Sequence, residues 1–276
     1  MISGSAPSVE RAFVPTASGR IHTATAGTGF PVLLLHQTPR SWDEYRDVLP
    51  ILGRAYRAIA MDTLGFGDSP RLPAGEHSIE RWATGAFHLL DALGIQRCAV
   101  VGHHTGAVVA LEMAARHPGR VAALVLSSCP YIDAPRRLAH TGKRVIDDVE
   151  RHANGSHLVE LWQRRQPYYP PGDIDLLERF MADALKAGPM AVGGHKACNA
   201  YAMETRTPLI TSPTLVLTST DDPHVHPQAP RLAQSIAGSR LVEIKGGMVP
   251  LPDQMPELFA RTVTDFLDGQ ALRASV

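Results

Sequence analysis

A histidine stands at the centre of a short glycine-flanked segment that could present it for catalysis. The segment is Gly102-His103-His104-Thr105-Gly106, between the apolar run Cys98–Val101 and the helical pattern Ala107–Arg116. A Gly-X-nucleophile-X-Gly turn between a strand and a helix forces its central side chain into a strained, exposed position. Because an imidazole exchanges protons near neutral pH, the residue at that position, His104, is a candidate base.

Carboxylates that could orient this histidine follow other apolar runs. Asp221 and Asp222 come soon after Pro213–Thr218, and Asp133 follows Val121–Leu126. A carboxylate that accepts one ring N–H leaves the second imidazole nitrogen free to take a proton. A His–Asp pair is therefore the simplest chemistry these residue types offer.

Apolar runs alternate with amphipathic segments around these residues. Predicted strands are Val32–Leu35, Tyr56–Met61, Cys98–Val101, Val121–Leu126, Pro213–Thr218 and Arg240–Ile244, and predicted helices include 78–93, 107–116 and 257–267. Ser41 and Glu44 are predicted to cap a further helix after the first of these strands. The alternation predicts an α/β protein with a doubly wound, mostly parallel sheet.

The alternation is interrupted in the middle of the chain. Between residues 130 and 206 the strand patterns disappear, and helical segments carry most of the aromatic residues. The sequence therefore predicts a discontinuous core, residues 1–129 and 207–276, with a helical insertion, residues 130–206.

Composition excludes several classes of partner. The 276 residues carry 27 Lys+Arg against 27 Asp+Glu, so no basic field attracts nucleic acid or an anionic membrane. No apolar run approaches the roughly 20 residues that span a bilayer, and the first residues lack the pattern of a signal peptide. Three cysteines without CxxC spacing argue against a disulfide framework or a zinc knot. A cytoplasmic protein that binds a small molecule is expected, and a homodimer stays open.

Five motifs in order give the chain its resemblance to the α/β-hydrolase superfamily, in particular the branch of epoxide hydrolases and dehalogenases. They are the segment 102–106, His36-Gln37-Thr38-Pro39, the loop 62–69, the turn 218–223, and the segment from Gly246-Gly247 to Pro256-Glu257. The resemblance implies a nucleophile elbow at His104 and an acid of the catalytic triad at Asp222. It also implies a helical cap over the substrate pocket at residues 130–206.

Two triad positions depart from the superfamily pattern. The superfamily places Ser, Asp or Cys at the elbow, where this chain has His104, and a histidine after the last strand, where it has Met248 and Val249. Gln37 also replaces the usual glycine of the oxyanion loop. An ordinary Ser-His-Asp mechanism is therefore not available.

We expect His104 and Asp222 to form a catalytic dyad instead. By bond lengths, His104 reaches roughly 2 Å farther than a serine hydroxyl, into the space left by the missing histidine. The resemblance implies an oxyanion hole made by the backbone N–H groups of Thr38 and Thr105. His224 as a substitute histidine and Asp133 as a substitute acid remain open. No metal is expected, since the His224 and His226 pattern is weak evidence for one, and no cofactor is expected.

The candidate substrate contacts come from the elbow, the loops and the insertion. They are His36, Gln37, His103, Tyr131, Trp162, Tyr168, Tyr169, His195 and Met248. Together the aromatic members predict a largely apolar substrate, and Arg164-Arg165 is interpreted as a solvated helix face.

The leading functional hypothesis is hydrolysis of an ester, lactone or related carbonyl compound. A cofactor-independent lyase or isomerase is the alternative on the same site. A pseudoenzyme that only binds a ligand is the third.

Overall fold

Eight strands pair into one sheet within the described residues, 6–73, 75–270 and 272, of this computed structural model. In chain order the strands are β1 (Glu10–Thr16), β2 (Gly19–Ala26), β3 (Pro31–Leu35), β4 (Arg57–Met61), β5 (Cys98–His103), β6 (Val121–Ser127), β7 (Thr214–Ser219) and β8 (Arg240–Ile244). Their spatial order is β1-β2-β4-β3-β5-β6-β7-β8. The pairs β1–β2 and β2–β4 are antiparallel and the others are parallel. The predicted doubly wound, mostly parallel α/β fold is confirmed.

Helices connect the parallel strands. They are α1 (Leu49–Leu52), α2 (Ile79–Ala92), α3 (Thr105–Arg116), α4 (Ala134–His140), α5 (Ser156–Arg165), α6 (Ile174–Ala187), α7 (Met190–Ala200), α8 (Ala229–Gln234), α9 (Leu251–Gln254) and α10 (Pro256–Asp268). Single 3-10 turns occur at Trp42–Tyr45, Pro118–Arg120, Gln166–Tyr168, Met203–Thr205, Thr207–Leu209 and His226–Gln228. Among the described residues, no helix combines the length and apolarity needed to cross a bilayer.

The central strands are buried on both faces because helices cover both sides of the sheet. Leu33 and Val100 belong to an apolar cluster on one face, whereas Leu34 and Val101 belong to the cluster on the other. Successive side chains of a strand point to opposite faces, so a continuous apolar run fills both layers. This packing fixes the carboxyl ends of β3, β5 and β7 at one edge, where the candidate catalytic residues follow.

Four helices, α4 to α7, lie in the chain between β6 and β7 and have a small apolar cluster of their own. Its buried members are Leu161, Tyr169, Leu176, Leu177, Phe180 and Ala184. The boundaries 130 and 206 stay a prediction. The predicted core also includes residues 1–5, 74, 271 and 273–276, which lie outside the described ranges.

The predicted capping box after β3 is wrong in part. Ser41 does accept a hydrogen bond from a backbone N–H, that of Asp43, but only a 3-10 turn follows it. Glu44 instead turns toward the oxyanion loop, where both of its carboxylate oxygens accept hydrogen bonds from Gln37. A polar group that bonds strongly elsewhere overrides the local capping pattern.

Candidate active site

The elbow holds His104 in a backbone conformation that side chains rarely adopt. His104 has φ 47° and ψ −114°, between the end of β5 and the start of α3. A Cβ atom on Gly102 would lie 2.2 Å from the carbonyl oxygen of Gly106, and one on Gly106 would lie 2.0 Å from that of Leu35. Only glycine fits at these two positions. The backbone at His104 is therefore strained, and strain at an exposed turn residue is typical of functional sites.

His104 lies against Asp222, which follows β7 at the same edge of the sheet. Nε2 of His104 is 2.7 Å from Oδ2 of Asp222, and the carboxylate is fully buried. The N–H direction departs from a straight hydrogen bond, and neither atom has another hydrogen-bond partner among the described residues. Nδ1 of His104 also has no partner there, and the side chain keeps 14% of its surface exposed. One nitrogen therefore faces the acid while the other is free.

The electrostatics of Asp222 favour its ionised form. Burial acts to raise the pKa of Asp222, but the charge and hydrogen bonding of His104 and the backbone N–H of His224, 3.0 Å from Oδ1, outweigh it. The pKa of this carboxyl consequently lies below its ordinary value. An ionised carboxylate beside an imidazole stabilises the imidazolium form when that ring takes up a proton.

His103 and His36 have structural surroundings and do not line the cavity beside His104. Both nitrogens of His103 are engaged, Nδ1 with the Ser127 hydroxyl at 2.9 Å and Nε2 with the Val249 carbonyl at 2.8 Å. Burial and the adjacent His104 lower the pKa of His103 to about 3, so its ring is neutral. His36 likewise donates to the Gln37 carbonyl and accepts from the Thr63 N–H. Burial lowers the pKa of His36.

The two backbone groups predicted as the oxyanion hole are unoccupied donors. Neither Thr38 N–H, after β3, nor Thr105 N–H, in the first turn of α3, makes a hydrogen bond within the described part of the chain. Both residues line the cavity with His104. Free N–H groups at a helix start and a loop are the usual donors for a developing oxyanion.

A cavity of about 240 Å³ opens beside the dyad. Core loops supply Gln37, Thr38, His104, Thr105, His224, Val225 and Val249, and the 130–206 segment supplies Pro130, Arg136, His140, Lys143, Arg144, Val145, Ile146, Arg165, His195, Cys198 and Asn199. Val249 lines this cavity, and Met248 does not. The Met248 backbone N–H instead bonds the Gln254 side chain at 2.7 Å.

The lining contradicts the expectation of an aromatic cavity. Tyr168 stands behind the lining, its ring 4.5 Å from that of His224. Tyr169 packs against Phe180, and Trp162 lies against the same apolar cluster. Tyr131 is covered by the guanidinium of Arg231. Trp162, Tyr168 and Tyr169 therefore pack with the apolar cluster of the insertion, whereas the Tyr131 ring is buried in the larger apolar cluster on one face of the sheet.

Arg165 corrects the interpretation of a solvated helix face. Its side chain is buried and donates from Nε to Asp147 Oδ1 at 2.6 Å, while His195 Nε2 lies 2.8 Å from Asp147 Oδ2. Arg164 does lie near the surface, paired with Glu160 on the same helix. The i, i+1 spacing places neighbouring arginines on different faces of α5, which residue type alone does not reveal.

The remaining acid and metal candidates have other surroundings. Asp133 caps α4 through the Arg136 N–H and pairs with Arg231, and it does not line the cavity. His226 lies 4.0 Å from Glu243. Over the described ranges, three ligand atoms within metal-sharing distance come together only at His22, Asp62 and Asp68, away from the cavity lining.

Sequence reasoning missed a basic run that lines the cavity. Arg136, Lys143 and Arg144 all line the same cavity as His104. Their signal was present in the sequence, since residues 136–144 contain four cations, Arg136, Arg137, Lys143 and Arg144, and no acid. Charge clustering within an insertion marks a patch, although only the fold shows that it faces the site.

Comparisons with known proteins find relatives of part of the chain. A 2-hydroxymuconate semialdehyde hydrolase from Pseudomonas sp. (strain CF600) is 35% identical over 132 residues, 47% of this chain and 46% of the relative. A soluble epoxide hydrolase from Corynebacterium sp. (strain C12) is 40% identical over 95 residues, 34% of this chain and 33% of the relative. The matched parts thus span about half or less of these relatives' lengths.

The fold comparison covers more of the chain. The crystal structure of the enol-lactonase from Burkholderia xenovorans LB400 superimposes with a TM-score of 0.78 at 21% identity, over 93% of this chain and 100% of that one. A sequence profile of the family described as alpha/beta hydrolase fold matches residues 31–248. The chain belongs to the α/β-hydrolase fold family.

Proposed function

We propose that the protein is a hydrolase of a small ester, lactone or related carbonyl compound, with His104 as general base and Asp222 as its orienting acid. The observation that carries the proposal is the 2.7 Å contact between His104 Nε2 and Asp222 Oδ2, with Nδ1 free beside the cavity. The names of the two curated relatives support hydrolysis as the reaction class.

The reaction balances with water as the nucleophile. The carbonyl oxygen of the substrate accepts hydrogen bonds from the N–H groups of Thr38 and Thr105. Nδ1 of His104 takes a proton from a water molecule as its oxygen attacks the carbonyl carbon, and Asp222 stabilises the imidazolium. The tetrahedral oxyanion then collapses, and the leaving group departs with the proton of His104. Each oxyanion donor of this kind is worth about 3–4 kcal/mol in the transition state.

A base mechanism fits this site better than nucleophilic attack by His104. Asp222 is the acid that contacts the ring. The resemblance implies the superfamily's second histidine at Met248 or Val249, and neither side chain is a base. His224 also lines the cavity, but its backbone N–H, and not its ring, bonds Asp222, so that acid does not orient its ring to activate water against an acyl-imidazole. The imperfect alignment of the His–Asp contact is compatible with catalysis, because such bonds often tighten only when substrate binds.

Turnover of a panel of activated esters and lactones by wild type and His104→Ala tests the proposal. We expect a loss of about 10²–10⁴-fold in kcat, the usual contribution of a general base, with no acyl adduct in intact-mass spectra. His152→Ala, an exposed histidine away from the cavity lining, is the matched control and retains full activity. Unchanged turnover in His104→Ala contradicts the proposal, and an acyl adduct on wild type replaces the base mechanism with a nucleophilic one.

A base-catalysed lyase or isomerase is the second candidate. The observation that favours it is that the site pairs one base with two oxyanion donors and has no serine or aspartate at the elbow. Proton abstraction next to a carbonyl needs only a base and donors that stabilise the resulting enolate oxygen. Exchange of a substrate C–H proton with deuterated water in the absence of hydrolysis distinguishes this chemistry.

A further inference from the structure

Cations line the cavity beside His104. Arg136, Lys143, Arg144 and Arg165 line it, and no aspartate or glutamate does. The whole chain has a formal net charge of zero, so this is a local concentration of charge. A concave site lined by one sign of charge raises the local concentration of oppositely charged ligands.

Two of these cations lack a carboxylate partner. Asp147 neutralises Arg165, and Arg144 lies 3.7 Å from Asp148 in a surface pair. Among the described residues, neither Arg136 nor Lys143 has an acidic partner. Nη1 of Arg136 donates only to the neutral Gln228 side chain at 3.0 Å, and its buried Nε has no acceptor. An arginine with unused donors beside a catalytic cavity is a binding group for an anion.

The basic lining continues outward. A neighbouring groove of about 580 Å³ shares His140, Lys143, Arg144, Val145 and Asn199 with the cavity. It adds two cations, Arg137 and the exposed Lys196, and one carboxylate, Asp148. Cations therefore outnumber carboxylates in this groove as well. The inner cavity of about 240 Å³ has the volume of roughly eight water molecules at ~30 Å³ each, which limits the ligand to a small molecule.

We infer that the substrate of the proposed hydrolase is a small organic acid whose carboxylate binds Arg136 and Lys143. Its reacting carbonyl then lies at the opposite end of the cavity, near His104 and the N–H groups of Thr38 and Thr105. The inference rests on the proposed function for the reaction, whereas the carboxylate site rests on the charges alone. It also replaces the apolar substrate expected from the sequence.

Calorimetric binding of glutarate and of its neutral isostere glutaramide tests the site without any turnover. We expect wild type to bind glutarate, to bind glutaramide at least about tenfold more weakly, and to lose affinity for glutarate as salt increases. Arg136→Gln and Lys143→Gln are each expected to weaken glutarate binding about tenfold or more, as loss of one charge-assisted hydrogen bond predicts. Arg136→Lys should recover part of that loss, which separates charge recognition from a folding defect.

Two controls complete the design. Arg116→Gln removes the same charge from the exposed end of α3, where the side chain bonds Thr84, and should leave glutarate binding unchanged. Glutarate binding is measured without turnover, so a failure of the proposed hydrolysis does not remove this readout. Equal binding of the two ligands, no binding of glutarate, or an equal loss in Arg116→Gln overturns the inference.

Discussion

Two His–Asp contacts in this molecule have nearly the same N···O distance and different surroundings. In the core, His104 Nε2 lies 2.7 Å from Asp222, and in the inserted helices His195 Nε2 lies 2.8 Å from Asp147. Both aspartates are buried. Asp147, however, is also bound by both Nε and Nη2 of Arg165, whereas Asp222 has no arginine or lysine partner within the described residues.

The difference between the two pairs is whether a cation also binds the aspartate. Burial acts to raise the pKa of Asp147, but the charge of Arg165 and the bonds from His195 and Arg165 hold it far below its usual range. That carboxylate is already neutralised by a permanent cation and has little charge left for His195. Asp222 keeps its charge for His104, whose other nitrogen is free. The pair in the insertion is therefore a structural anchor, whereas the pair in the core keeps the free imidazole nitrogen that the proposed base mechanism needs.

Matched aspartate substitutions give the largest expected contrast. Asp222→Asn should reduce kcat by about 10²–10⁴-fold, because His104 loses the charge that stabilises its protonated form. Asp221→Asn, at the exposed neighbour that bonds the Thr220 hydroxyl, should leave kcat unchanged. Steady-state kinetics on an ester found in the His104→Ala screen measures both. A loss of similar size in Asp221→Asn would remove the distinction between the two carboxylates.

For the free energy of unfolding, we expect the large effect at the aspartate of the insertion pair, Asp147. Asp147→Asn leaves the buried Arg165 without a counter-ion, and breaking a buried pair in this way costs about 3–5 kcal/mol. Asp148→Asn removes a surface partner of Arg144 at 3.7 Å and should cost at most about 1 kcal/mol. Equilibrium denaturant unfolding gives both values. If the two substitutions destabilised the protein equally, Asp147 would not be a structural anchor.

The sequence predicts the core better than the insertion for a physical reason. Runs such as 32–35 and 121–126 are buried by helices on both faces, so their apolar composition alone reveals them as β3 and β6. The β1–β2 hairpin was missed, since the side chains of β1 are mostly exposed and carry no strong apolar pattern. The elbow at 102–106 was visible because glycine is required at two fixed positions.

The polar partners of the insertion could not be predicted in the same way. Arg165 meets Asp147 across 18 residues, and Arg40 meets Asp183 across 143. Pairing over such separations depends on how helices pack and leaves no local pattern. Glu44 shows the same limit at short range, since its local sequence indicates a helix cap while Gln37 binds both of its oxygens.

The core pair also differs from the insertion pair in having a second histidine beside it. The ring centroid of His103 lies 4.8 Å from that of His104, and His103 makes the stability of the protein depend on acid pH. Its folded pKa of about 3 lies below the ordinary 6.5, so the folded state resists a proton that the unfolded chain accepts. Stability is therefore full above pH 6.5 and is lost as pH falls toward 3. The loss amounts to roughly 3 kcal/mol by pH 4, because the ~2.5 pH units below 6.5 each cost about 1.4 kcal/mol.

His103→Gln removes this titration while keeping a side chain that can hydrogen-bond Ser127 and Val249. Between pH 7.5 and 4, its free energy of unfolding should fall by about 3 kcal/mol less than that of wild type, whatever its stability at pH 7.5. His152→Gln, at an exposed histidine, should follow the wild-type curve. Parallel curves for wild type and His103→Gln would mean that His103 takes up its proton in the folded core. The carbonyl of Val249, which helps form the wall beside His104, would then have a charged donor, and the dyad would operate beside a second cation.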